Sequence, residues 1–157
     1  MTLIEVMIVV ALLAIIALMA LPTSGSNDST RLRAAAKLLI ADIEYAQVAS
    51  LGDGVDPCVL VLDADRRGYS LARAADPDTP MIDPATNRPY SVRFGEGRGQ
   101  ALHGVHIEDS DFGGGTQLPF TPLGTPDTDV DPRIILRAGD QRIELTIDTG
   151  TGEPRVH

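Results

Sequence analysis

Residues 2–21 hold one charged side chain, Glu5, and neither glycine nor proline before Pro22. Twenty residues in a helix reach about 30 Å, the thickness of a bilayer's hydrocarbon core. A water-soluble helix of that length shows a polar face, and this stretch has none. It is therefore a membrane helix or a segment enclosed on all sides by other helices. Glu5 is the exception inside it. A carboxylate at the centre of a spanning helix costs about 2.5–3.5 kcal/mol on insertion scales, so it needs a partner, a role, or a place at headgroup depth.

The order of residues narrows this further. Met1-Thr2-Leu3-Ile4-Glu5-Val6-Met7-Ile8-Val9-Val10-Ala11, running on to Pro22, resembles the mature N-terminus of type IV pilins and type II secretion pseudopilins. Glu5 and Pro22 fall in that family's register without a gap. The departures are Met1 in place of the usual Phe and Ala14 where many members carry Gly. The resemblance implies filament assembly through Glu5, paired with the terminal amine of an adjacent subunit. It also implies N-methylation and prepilin processing at Met1, and a helix kink at Pro22. Family members carry a short basic leader cut by prepilin peptidase. The charge pattern agrees with one upstream, since no Lys or Arg precedes the span while Arg31, Arg33 and Lys37 come after it. Taken alone, that bias would keep the C-terminal part in the cytoplasm. The resemblance implies the reverse: a single-pass inner-membrane protein, N-terminus at the cytoplasmic side, with its globular domain in the periplasm and later in a filament. A secretory signal peptide fits poorly, because the basic n-region is missing and the apolar core is too long.

Beyond the span about 130 residues remain, enough for one small domain. The formal net charge is −9, and only Glu5 of that lies in the span. A surface so acidic repels phosphate backbones, which argues against nucleic acid as a partner. The single Cys58 excludes an internal disulfide.

Residues 23–30 are small and polar and predict a soft joint, with Asp28, Ser29 or Thr30 available as N-cap. Residues 31–52 predict an amphipathic helix, with Leu32, Ala36, Leu39, Ile43 and Ala46 in one apolar stripe and Asp42 among the polar residues mostly off it. Gly52 is its stop. Residues 53–157 predict a β-rich domain. Cys58–Leu62 and Tyr69–Arg73 form a hairpin around Asp65–Gly68. Residues 76–89, with four prolines, read as a loop, followed by strands at Tyr90–Phe94 and Leu102–Glu108. Arg133–Arg137 and Arg142–Ile147 form a second hairpin. The Phe120-Thr121-Pro122-Leu123-Gly124 turn, this hairpin and the terminal Thr151-Gly152 segment resemble H-type pseudopilins and related minor pilins. The expected fold is α+β, a long N-terminal helix packed on an antiparallel sheet or a pair of sheets.

No group of residues reads as a catalytic or cofactor site, so an enzyme is not expected. His103 and His106 have neither helical nor facing-strand metal spacing, and Cys58 sits in an apolar strand. Gly95–Gly99 lacks the Lys-Ser/Thr of a phosphate loop. Asp127, Asp129 and Asp131 alternate as a calcium loop begins, but Pro132 stands where glycine is needed, so no calcium and no other cofactor is expected. The expected function is a minor pseudopilin of a type II secretion system, with other subunits and an inner-membrane assembly platform as partners. The alternatives are a minor type IV pilin that primes pilus assembly and, more remotely, a helix-anchored extracytoplasmic binding domain or hydrolase.

Overall fold

The computed structural model describes residues 3–19 and 24–157. Helix α1 runs Leu3–Met19 and helix α2 Ser24–Gly52. The joint expected over residues 23–30 is helical from Ser24, so α2 begins seven residues before Arg31. Asp28, Ser29 and Thr30 therefore lie inside the helix rather than capping it. Extending a helix that is already nucleated adds one hydrogen bond per residue fixed, which offsets the weak propensity of this segment. The Asp28–Arg31 pair, one turn apart at 3.3 Å, adds to it. Pro22 lies outside the described residues.

Leu32, Ala36, Leu39, Ile43 and Ala46 are all buried along one side of α2, together with Ala35. That stripe covers two antiparallel sheets. The first holds β1 (Cys58–Leu62), β2 (Gly68–Arg73), β3 (Asp76–Pro80), β6 (Ser91–Arg93) and β8 (Gln117–Pro119), in the order β3-β2-β1-β8 with β6 also on β2. The second holds β7 (Val105–Asp111), β9 (Arg133–Ala138), β10 (Gln141–Ile147) and β11 (Pro154–Val156), in the order β11-β10-β9-β7. A small hairpin, β4 (Ile82–Asp83) with β5 (Arg88–Pro89), stands apart, and Gln100–Leu102 is a single 3₁₀ turn. Leu60, Leu71 and Leu118 from the first sheet and Ile134, Leu136 and Leu145 from the second meet α2 in one continuous core.

Two strand expectations need correction. Residues 76–89 are not all loop: they form β3 and the β4–β5 hairpin. Pro77 and Pro80 are tolerated because β3 is an edge strand, where a missing N–H faces outward. β7 continues to Asp111, past Glu108, because cross-strand charge pairs replace apolar alternation there. Arg137 binds Glu108 at 2.7 Å and Arg133 binds Asp109 at 2.9 Å. The tail after Thr151-Gly152 adds β11 to the second sheet.

The far end of α2 is tied to both sheets. Ser50 Oγ donates to Ala46 O and accepts the Cys58 N–H at 2.9 Å, joining the helix to the start of β1. Gln47 Nε2 donates to Gly152 O at 2.6 Å. Gly124 and Gly152 have φ of +80° and +74°, a backbone region that favours glycine, and both pack on Gln47. The two turns that carried the second family resemblance, Phe120–Gly124 and Thr151-Gly152, thus converge on one residue of α2.

Candidate functional site

Helix α1 differs from every other element of the chain. Its large apolar side chains from Leu3 to Leu13 are all between 45% and 81% exposed. They occupy every side of the helix, so no rotation would hide them. Glu5 sits in its first turn, exposed among them. Met1, the expected processing and methylation point, lies outside the described residues. The described part of α1 is 17 residues, about 25 Å. Among the described residues, no helix is both long and apolar enough to cross a membrane.

Residues near the middle of α2 hold a polar cluster that sequence reasoning missed. Asp42 is only 1% exposed. Its carboxylate accepts hydrogen bonds from Tyr69 Oη at 2.8 Å, Tyr90 Oη at 2.9 Å and Arg98 Nη2 at 2.9 Å. The Arg98 guanidinium lies 4.9 Å from the centre of the Tyr90 ring, whose other neighbour is the stacked ring of Tyr45 at 5.1 Å. Asp42 is therefore on the apolar side of α2, against the expectation that it would lie off the stripe. The signal was present: residue 42 falls three after Leu39 and four before Ala46, on the same helix face as both. An acid at such a position is buried and must be paired.

Burial holds the Tyr69 hydroxyl well above its ordinary pKa, and the Asp42 carboxylate reinforces the effect. Tyr90 is raised to about 12, first by burial, with an opposing contribution from Arg98 and a supporting one from Asp42. For Arg98 burial works the other way, but its bonds to Tyr90 and Asp42 hold its pKa above the usual value. All three groups thus keep their neutral-phenol and charged-arginine forms. The arrangement satisfies a buried carboxylate; it contains no activated nucleophile beside a base. Its work is to fix α2 against β2, the entry to β6 and the Gly95–Gly99 turn.

The raised phenols set an alkaline limit. Above the ordinary tyrosine pKa near 10, the unfolded chain has lost phenolic protons that the folded chain still holds, so stability falls with rising pH. For Tyr90 that loss is spread from about pH 10 to about 12. Absorbance titration near 295 nm is expected to show delayed ionisation, accompanied by unfolding. Ordinary, reversible ionisation of every tyrosine in a folded chain would contradict the cluster.

The other residues weighed from the sequence stay apart. His103 is exposed, His106 half-buried, and the exposed His157 ring lies 3.2 Å from Thr146 Oγ1. Cys58 is buried, its thiol pushed up by burial and directed at Met81 Sδ at 3.6 Å. Asp131 accepts from both the N–H and the hydroxyl of Thr149 at 2.9 Å. Among the described residues, no three His, Cys, Asp or Glu side chains converge as a metal site. A shallow cleft beside the β4–β5 hairpin is lined by Arg88, Ser91, Arg98 and Asp83. Asp83 is committed to its own turn through the Ala85 N–H and the Thr86 hydroxyl, which hold its carboxyl below the usual range.

No protein-family model matches the chain, and neither does any curated protein sequence. Among solved structures, the crystal structure of the type IV minor pilin FimU from Pseudomonas aeruginosa (strain PAO1) is similar. The two share a TM-score of 0.57 at 15% sequence identity, over 82% of this chain and 90% of that one. The fold is pilin-like: an N-terminal helix packed on antiparallel sheets.

Proposed function

We propose that this chain is a minor subunit of a type II secretion pseudopilus, a structural and assembly protein rather than an enzyme. The observation that carries the reading is α1, an apolar helix exposed on all sides with a single carboxylate in its first turn. Such a surface is stable only in lipid or among other apolar helices. A subunit held by this helix in the inner membrane and then packed into a filament meets both conditions in turn. Glu5 is the fifth residue of the chain, and in this reading it pairs with the terminal amine of an adjacent subunit. In this reading Met1 is the processed and methylated residue, and the assembly platform and neighbouring subunits are the partners.

A second reading, a minor type IV pilin, is favoured by the likeness to FimU. Both readings place Glu5 at the centre of assembly, and one experiment addresses them together. The Glu5→Ala chain, returned to cells lacking the native copy, is expected to reach the membrane normally but to fail in filament incorporation. Leaving the neighbour's amine buried and unpaired costs about 3 kcal/mol, on the order of a hundredfold in the assembly equilibrium. Loss of protein secretion with piliation intact supports the pseudopilus, and the converse supports the pilus. Normal incorporation with both processes intact would falsify the filament reading and leave a membrane-anchored domain.

A further inference from the structure

One member of the Asp42 cluster reaches the surface. Asp42 itself is 1% exposed, whereas the Arg98 side chain it binds is 38% exposed. Arg98 Nη2 donates to Asp42 Oδ1 at 2.9 Å, and its guanidinium lies over the Tyr90 ring. Tyr90 is fixed in turn by its own bond to Asp42 and by stacking on Tyr45. Arg98 is therefore held from behind, and much of its rotamer freedom is already lost on folding. A guanidinium carries more N–H donors than these bonds use, and Arg98 lines the cleft beside the β4–β5 hairpin.

The hairpin supplies a second guanidinium to the same cleft. Arg88 is exposed there and, among the described residues, has no acidic partner within ion-pair distance. The strand register makes this unexpected, since Arg88 stands directly across from Asp83. Opposite charges so placed favour each other. Asp83 is engaged elsewhere: Oδ1 accepts the Ala85 N–H at 2.9 Å and Oδ2 the Thr86 hydroxyl at 2.8 Å. Both oxygens of the one acid lining the cleft are thus committed, and Asp83 is 8% exposed. Ser91, an exposed residue of the same lining, adds a hydroxyl. The cleft has a volume of about 540 Å³, within the range of small-ligand sites.

We propose that this cleft binds a carboxylate through Arg98 and Arg88, with Ser91 as a further donor. Guanidinium donors form paired, charge-assisted bonds with carboxylates, and an arginine fixed in advance loses less freedom on binding. Counting Asp42 and Asp83, two acids balance the two arginines, so the site is neutral before a ligand arrives. It recognises an anion by donors held in place rather than by excess positive charge. A doubly charged phosphate is also repelled more strongly than a carboxylate by a chain of net charge −9. The acidic side chain of a partner polypeptide and its chain terminus present the same group. The inference concerns the globular domain alone and does not depend on the filament reading.

The isotope-labelled full-length chain in a neutral maltoside detergent tests this by nuclear magnetic resonance of its arginine Nε–Hε groups. Two probes represent the two sources of the group: N-acetylglutamate N-methylamide carries a side-chain carboxylate, and N-acetylalanine a terminal one. The Arg88 and Arg98 signals are expected to move together and to saturate with at least one probe, and the tighter probe identifies the source. N-acetylglutamine N-methylamide, the neutral counterpart, is expected to leave both signals in place. Arg142, exposed on another strand, is expected to respond to none of the three. Arg88→Gln is expected to weaken the binding read at Arg98 about fivefold, and Arg88→Lys, which keeps the charge without the fork, by less. Unsaturable drift of every exposed arginine alike, or binding at Arg98 that Arg88→Gln leaves unchanged, overturns the proposal. Inorganic sulfate that binds as tightly as either carboxylate overturns the carboxylate assignment in favour of a general anion site.

Discussion

Replacing Asp42 with alanine is expected to lower the thermal midpoint of the globular domain by about 10 °C, the largest effect of any single polar substitution in the chain. The substitution removes the acceptor for Tyr69, Tyr90 and Arg98 at once. Breaking a buried charged network in this way costs about 3–5 kcal/mol when the remaining charge is enclosed. Arg98 is 38% exposed in its side chain and regains water, so the lower end, about 3 kcal/mol, applies here. The mechanism has a second signature. Adding Arg98→Met to the alanine variant removes the stranded charge and is expected to recover part of the loss, which independent sites would not do. Scanning calorimetry of the detergent-solubilised chain measures both. A midpoint within about 2 °C of wild type would show that α2 is not held by this cluster.

Gly68→Ala is the second large effect. A Cβ at that position would collide with Val92 O and stand 2.6 Å from Asp63 Oδ2 and 3.1 Å from Arg93 Cα. The carboxylate can swing aside, but the other two atoms are backbone of β6, which pairs with β2 through Gly68↔Arg93. The strand must therefore shift or detach. Such overpacking costs about 2–3 kcal/mol, and hydrogen exchange should report it as lost protection around Val92 and Phe94 before global unfolding. Gly52→Ala supplies the contrast: nothing lies within 4 Å of its Cβ, and it ends a helix. It is expected to be neutral or to stabilise by under about 1 kcal/mol. If the two substitutions have equal effects on denaturant midpoint, the close approach of β2 and β6 is not the cause.

How far the fold was legible in the chain depended on how local each signal was. The α2 stripe from Leu32 to Ala46 and both long hairpins derive from period and turn chemistry, which act within a few residues. β3 and β11 did not. Each is short, proline-bearing and at a sheet edge, and it is a strand only because another part of the chain supplies a partner. Asp42 looked like an ordinary polar helix residue because its three partners come from positions 69, 90 and 98, far away in the chain. The Phe120–Gly124 and Thr151-Gly152 turns were legible as turns, while their meeting at Gln47 was not.

The sequence by itself determined the apolar helix, its one carboxylate at Glu5, and the α+β class of the domain beyond it, because each depends on the order and hydrophobicity of neighbouring residues. The tertiary structure alone decided which charges are satisfied inside the domain and which stand outward. Pairing is a matter of distance in space: the fold brings Tyr69, Tyr90 and Arg98 to Asp42 and Glu108 to Arg137, while leaving Arg33 and Arg142 exposed.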